Sequence, residues 1–175
     1  ELDRIVRELN DKALEASGKK SSFSKLISFL STGTARPNRT SEQDKVVEGS
    51  LYKVRYRYTG NTTGKTRPFC LLMSASNKLY RKEDIERMTT MPVNRGWGAG
   101  GADTYSVWLY KGGGNCHHKW MRETYKVKDS TRGSIYGTNT TQISTAQGER
   151  EGYRVRNPKE VAMKPKDMPN NGFLN

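Results

Sequence analysis

The chain has 175 residues, of which 31 are Lys or Arg and 18 are Asp or Glu, for a formal net charge of +13. Hydrophobic residues make up 33% and the mean hydropathy is -0.90, so a packed core is expected for only part of the chain. No stretch reaches the ~18 apolar residues of a membrane span, and two cysteines, Cys70 and Cys116, exclude a disulfide-rich secreted scaffold. No basic and then apolar leader precedes the first helical pattern, so no signal peptide is expected.

Residues 1–50 carry nine basic and eight acidic groups, residues 51–132 sixteen and six, and residues 133–175 six and four. The positive charge is concentrated in the middle, which points to a basic surface on a folded core rather than a basic tail.

Leu2, Ile5, Val6, Leu9 and Ala13 recur at helical spacing, and Ser17-Gly18 stops the pattern. Phe23, Leu26, Ile27 and Leu30 repeat it behind Ser21 and Ser22, which can cap a second short helix. Residues 31–45 are rich in Ser, Thr, Gly, Pro and Asn, without periodicity, and read as a linker. Tyr52, Val54, Tyr56 and Tyr58 then alternate with Lys53, Arg55 and Arg57, which is the clearest strand in the sequence. Its apolar face belongs to the core. The three cations on the other face are spaced about 6.6–7 Å apart, close to the phosphate separation along one DNA strand, so they are candidates for contact with DNA or with an acidic partner.

Thr66 is positioned to cap a short helix with Pro68 in its first turn, carrying Phe69, Cys70, Leu72 and Met73. Leu79-Tyr80 reads as a brief extended piece, residues 81–88 as another short helix, and residues 96–101 as a glycine-rich loop around Trp97. Alternation over 104–110 predicts a second strand, Gly112-Gly113-Gly114 a turn, and residues 120–127 a third strand. Beyond Lys128 periodicity fades, and Pro158, Pro165 and Pro169 make the last stretch an extended arm suited to docking into a neighbour.

The expected fold class is α+β: a small core of antiparallel strands with short helices over 48–128, an N-terminal helical arm and linker over 1–47, and an extended C-terminal arm over 129–175. The predicted core comprises Tyr52, Val54, Tyr56, Cys70, Leu72, Val107, Leu109, Cys116 and Trp120.

Any Cys/His chemistry must use Cys70, Cys116, His117 and His118. As a metal set these are weak candidates, because the paired CxxC spacing is absent and His117 points away from its neighbours on a strand. A Cys-His nucleophile lacks an obvious acidic partner to orient the imidazole. The plainer reading is two buried thiols with His118 hydrogen-bonded beside them, or a disulfide if the protein meets an oxidising exterior. Neither GWGAGG nor KGGG has the arrangement of a nucleotide-binding loop. No cofactor and no catalytic residue is expected.

The segments KTRPFC, LYRKEDIERM, NRGWGAGGADTYSVWLYKGGGNCHHKWMRETY and NPKEVAMKPKDMPNNGFL together resemble structural proteins of tailed bacteriophages, similar to those of crAss-like and other Bacteroidetes phages. The block over 51–128 also resembles the minor head protein family typified by protein F of phage Mu, in which an Arg-x-x-Cys segment is followed by a Cys-x-His segment. Arg67 with Cys70, and Cys116 with His118, are the matching residues.

The resemblance implies a virion protein of the head or portal vertex, assembled in the host cytoplasm. It would work as a symmetric oligomer among other head or portal proteins and touch packaged DNA, but no membrane. It also implies that the two cysteine segments are neighbours, so Arg67, Cys70, Cys116, His118 and Trp120 form one structural cluster, and that prohead-protease cleavage accounts for the start at Glu1. The competing expectations are a DNA-binding cargo or ejection protein and, from the enzyme class, a Cys-His hydrolase or a metal-dependent enzyme.

Overall fold

A computed structural model describes residues 32–128, 133–154 and 160–174, so the two N-terminal amphipathic helices expected from the sequence lie outside the described residues. The fold is α+β, built on one antiparallel sheet. Strand β2, Ser50–Thr59, is the alternating segment read from the sequence. It pairs along its whole useful length with β4, Lys119–Val127, in a register that sets Tyr58 opposite Trp120 and Arg55 opposite Glu123. The short β1, Lys45–Val47, and β3, Leu79–Tyr80, also pair with β2, and β5, Thr140–Ile143, closes the far edge on β4.

Tyr52, Val54, Tyr56 and Tyr58 all point to one face and are buried there. Helix α1, Pro68–Ser76, packs Phe69, Cys70 and Met73 against them, and α2, Lys82–Arg87, adds Ile85. Trp120 is fully buried between the edges of Tyr58 and Tyr80, and its indole N–H donates to the Val107 carbonyl at 3.2 Å. Pro68 opens α1 because that position needs no amide partner. Arg67 rather than Thr66 precedes the helix; the Thr66 hydroxyl instead accepts from the Thr63 amide.

The opposite face of β2 overturns an expectation. Lys53 is 3% exposed and Arg55 0%, because the linker folds back across the sheet. Arg55 donates to the carbonyls of Pro37 at 2.5 Å and Arg39 at 2.9 Å and pairs with Asp44 at 2.7 Å. Lys53 Nζ donates to the Asn38 carbonyl at 2.9 Å, while Arg57 pairs with Glu123 at 2.6 Å and donates to Asn77. Lys53 and Arg55 are therefore not a free surface for DNA or an acidic partner, and Arg57, with its side chain 23% exposed, is already engaged. They hold a polar second layer, beside a small apolar cluster of Leu79, Tyr125 and Ile135.

Three further expectations are corrected. Residues 107–110 form a single helical turn, α3, Val107–Tyr110, not a strand: the Ser106 hydroxyl accepts from the Leu109 amide, and the buried residues Val107 and Trp108 are adjacent rather than alternate. Leu109 is exposed and Leu72 only half-buried, so neither belongs to the core. The C-terminal part is not an extended arm. After β5 comes α4, Thr145–Arg150, capped by Ser144, and residues 160–174 run as three turns of 3-10 helix that seat Val161, Pro165, Met168 and Gly172 against the chain's own body. No helix among the described residues is long and apolar enough to cross a membrane.

Candidate functional site

At one end of the tyrosine face, four segments meet. Arg67 and Cys70 come from the start of α1, Tyr58 from the end of β2, Gly112 to Gly114 from the turn after α3, and Cys116 and His118 from the lead into β4. Lys111 enters the turn with φ +55°, and Gly113 takes φ +100°, a value that a residue with a Cβ would strain to adopt. At Gly112 the reason for glycine is space: a Cβ there would stand 2.2 Å from Cys70 Sγ and 3.1 Å from Cys116 Sγ.

The turn is tied down by its carbonyls. Arg67 donates to Gly112 at 2.8 Å and to Gly114 at 2.6 Å, with its guanidinium 4.0 Å over the Trp97 ring. Asn94 donates to the Gly112 carbonyl at 3.0 Å and to the Tyr105 hydroxyl at 2.8 Å, and the Tyr105 hydroxyl donates to the Lys111 carbonyl at 2.8 Å. From the C-terminal segment, the Gly172 carbonyl accepts from the Asn115 amide at 2.7 Å.

Inside this frame Cys70 Sγ and Cys116 Sγ are 3.8 Å apart, and both are free thiols. His118 Nδ1 lies 3.6 Å from Cys116 Sγ, and the Tyr58 hydroxyl lies 3.3 Å from Cys70 Sγ and 3.6 Å from Cys116 Sγ. The His118 ring stacks on Tyr58 with centroids 5.3 Å apart. Its Nε2 is buried without a hydrogen-bond partner. The hydrogen bond from the Cys70 thiol, opposed by burial and helped by the His118 amide, the Tyr58 hydroxyl and the Gly112 amide, holds Cys116 well below the usual thiol range. That contact and burial push Cys70 up. Burial likewise raises the Tyr58 hydroxyl, which stays a neutral donor.

Of the residues singled out from the sequence, Arg67, Cys70, Cys116, His118 and Trp120 therefore lie in one cluster, with Trp120 reaching it through its edge contact with Tyr58. His117 does not join. It is exposed and faces a shallow groove shared with Asn115, Lys164, Pro165, Lys166, Asn171 and Phe173. Tyr58, Asn94, Tyr105 and Gly112 were missed as site residues. Only Tyr58 had a usable signal, as the last aromatic of the β2 alternation. With Cys70 1% and Cys116 7% exposed, neither sulfur is offered to a substrate, and what the arrangement can do is coordinate an ion, form a disulfide or simply pack. No protein-family model, no curated protein and no solved structure matches this chain.

Proposed function

We propose that this chain is a non-enzymatic structural protein of a tailed-bacteriophage head or portal vertex, acting as one copy in a symmetric assembly with other head or portal proteins. The observation that carries the reading is the convergence of the blocks that bear the resemblance. Arg67 and Cys70, the stretch from Asn94 to His118, and the Asn170–Phe173 turn lie far apart in sequence, yet they build one hydrogen-bonded unit around the glycine turn. Residues chosen for their pattern alone thus have a common structural purpose, which is to lock a loop onto a sheet. That is what a subunit needs in order to present a fixed surface to its neighbours.

The partner-binding part falls to the N-terminal segment, which carries two apolar stripes at helical spacing over 2–13 and 23–30. The C-terminal segment serves its own subunit, since Val161 and Met168 are buried within the chain. The alternative of a free DNA-binding cargo protein loses its main support once Lys53 and Arg55 are committed to carbonyls and Asp44. Quantitative mass spectrometry of density-purified particles tests the proposal. A fixed copy number, retained in the shell after the DNA has left, is expected. Absence from particles, or departure with the DNA, would overturn it.

A further inference from the structure

We propose that Cys70 Sγ, Cys116 Sγ and His118 Nδ1 form a site for a divalent cation of the zinc class, with the Tyr58 hydroxyl at the fourth corner of a tetrahedron. These three ligand atoms lie within 4.8 Å of one another, all on buried residues. Zinc bonds of about 2.3 Å to sulfur and about 2.0–2.1 Å to nitrogen or oxygen, at tetrahedral angles, require S···S edges near 3.8 Å and S···N or S···O edges near 3.6 Å. The protein provides 3.8 Å between the sulfurs, 3.6 Å from Cys116 to His118 Nδ1, and 3.3 and 3.6 Å from the sulfurs to Tyr58. The edge between Cys70 and His118, within 4.8 Å, closes as the ion enters.

Three features of the surroundings fit a ligand shell better than a passive thiol pair. The imidazole of His118 is 8% exposed, and its Nδ1 faces the Cys116 sulfur at 3.6 Å, so a ring nitrogen and a thiol are held side by side away from water. Arg67 and Asn94 fix Gly112 through its carbonyl, so the turn lying against both sulfurs is held by an outer layer, as the surroundings of metal-bound sulfurs are. Gly112 closes the cluster with backbone alone, because a Cβ would strike Cys70 Sγ.

Charge balances without further groups. The thiol protons leave to solvent as the cation binds, and two thiolates, one divalent ion, a neutral imidazole and a neutral phenol sum to zero, which suits a buried site. Nothing is oxidised, and no vertex faces solvent, so the ion is structural rather than catalytic. The site does not depend on the virion reading above.

The test uses the full chain purified under reducing conditions without chelator. Elemental analysis should find one zinc per chain. X-ray absorption should give two sulfur and two nitrogen or oxygen neighbours, and the cobalt-loaded protein should show thiolate-to-metal charge transfer with d–d bands of tetrahedral intensity. Cys116→Ser and His118→Gln should lose stoichiometric metal, and Tyr58→Phe should weaken it by about 10–100-fold. Because the absorption and cobalt spectra are taken on the unmutated chain, failure of a variant to fold leaves the proposal open to refutation. A metal-free chain that takes up neither ion after reduction would overturn the site, and so would a Cys70–Cys116 disulfide that persists in protein prepared with its thiols protected. Unchanged affinity in Tyr58→Phe would remove Tyr58 from the fourth corner.

Discussion

Arg55 is fully buried in the middle of the central strand, and its guanidinium reaches the carbonyls of Val54, Pro37 and Arg39 as well as both oxygens of Asp44. An isolated cation there would be untenable; held by this many acceptors it fastens the linker to the sheet. Asp44→Ala removes the countercharge and leaves the guanidinium buried, so it should cost about 3–5 kcal/mol, read from urea unfolding. Replacing both partners by apolar residues of similar volume should cost less than the single change.

The carboxylates give a pH signature of their own. Burial alone would raise Asp84, but hydrogen bonds from the Arg81 side chain and the Arg36 and Arg81 amides outweigh it and hold the group below its ordinary value. Glu83 and Glu123 are lowered in the same way, against burial, the first by the Glu42 amide and Ser41, the second by Arg57 and Tyr125. The folded chain therefore gives up these protons more readily than the unfolded chain does. The stability so gained is complete above the ordinary carboxylate pKa of about 4 and is lost as pH falls through the lowered values. The urea midpoint should hold steady from about pH 7 to 5 and drop below about pH 4.

At the scale of elements, strand β2 could be read from the sequence because tyrosines and cations alternate strictly over its length. What covers the cations could not be read, since residues 36–44 carry no periodicity and act through backbone carbonyls that any residue would supply. Strand β5 was hidden for a related reason: in TTQI only Ile143 is buried, so there is no apolar pattern to detect. Helix α3 was misread because four residues are too few to separate a helical from an alternating pattern, and the Ser106 cap decided the matter locally. The cluster was legible as to its members, through the paired Arg-x-x-Cys and Cys-x-His segments. The β2 alternation puts Tyr58 on the buried face, but its hydroxyl contact with both sulfurs depends on where α1 and the glycine turn pack, which no local pattern encodes.

The C-terminal turns offer a test at the same scale. Gly172 has φ +76°, and a Cβ would lie 2.9 Å from the Pro165 ring, so Gly172→Ala should cost about 1–3 kcal/mol. Amide exchange at Asn115, whose proton goes to the Gly172 carbonyl, should accelerate while β2 stays protected. Equal protection in both proteins would show that the segment does not brace the glycine turn.

For the whole molecule, the net charge of +13 remains, but its most regular row is spent internally. Any affinity for DNA must then come from other cations, such as the exposed Arg39, Lys65, Arg87 and Lys119. Arg57→Gln removes one of the three strand cations whose side chain already serves Glu123 and Asn77. In the folded variant, the slope of log K against log salt for duplex DNA should match that of the parent chain. A slope flatter by about 0.9 would return the strand to the DNA-binding surface.

The proposed place of this fold as a fixed component of a phage head or portal vertex can be checked by reconstruction of the vertex by cryo-electron microscopy, without imposed shell symmetry. Density for the five-stranded sheet and its glycine turn should repeat in a ring, with the 1–31 segment of each copy against a neighbouring protein. Intact particles in which no head or portal density fits the sheet would contradict it.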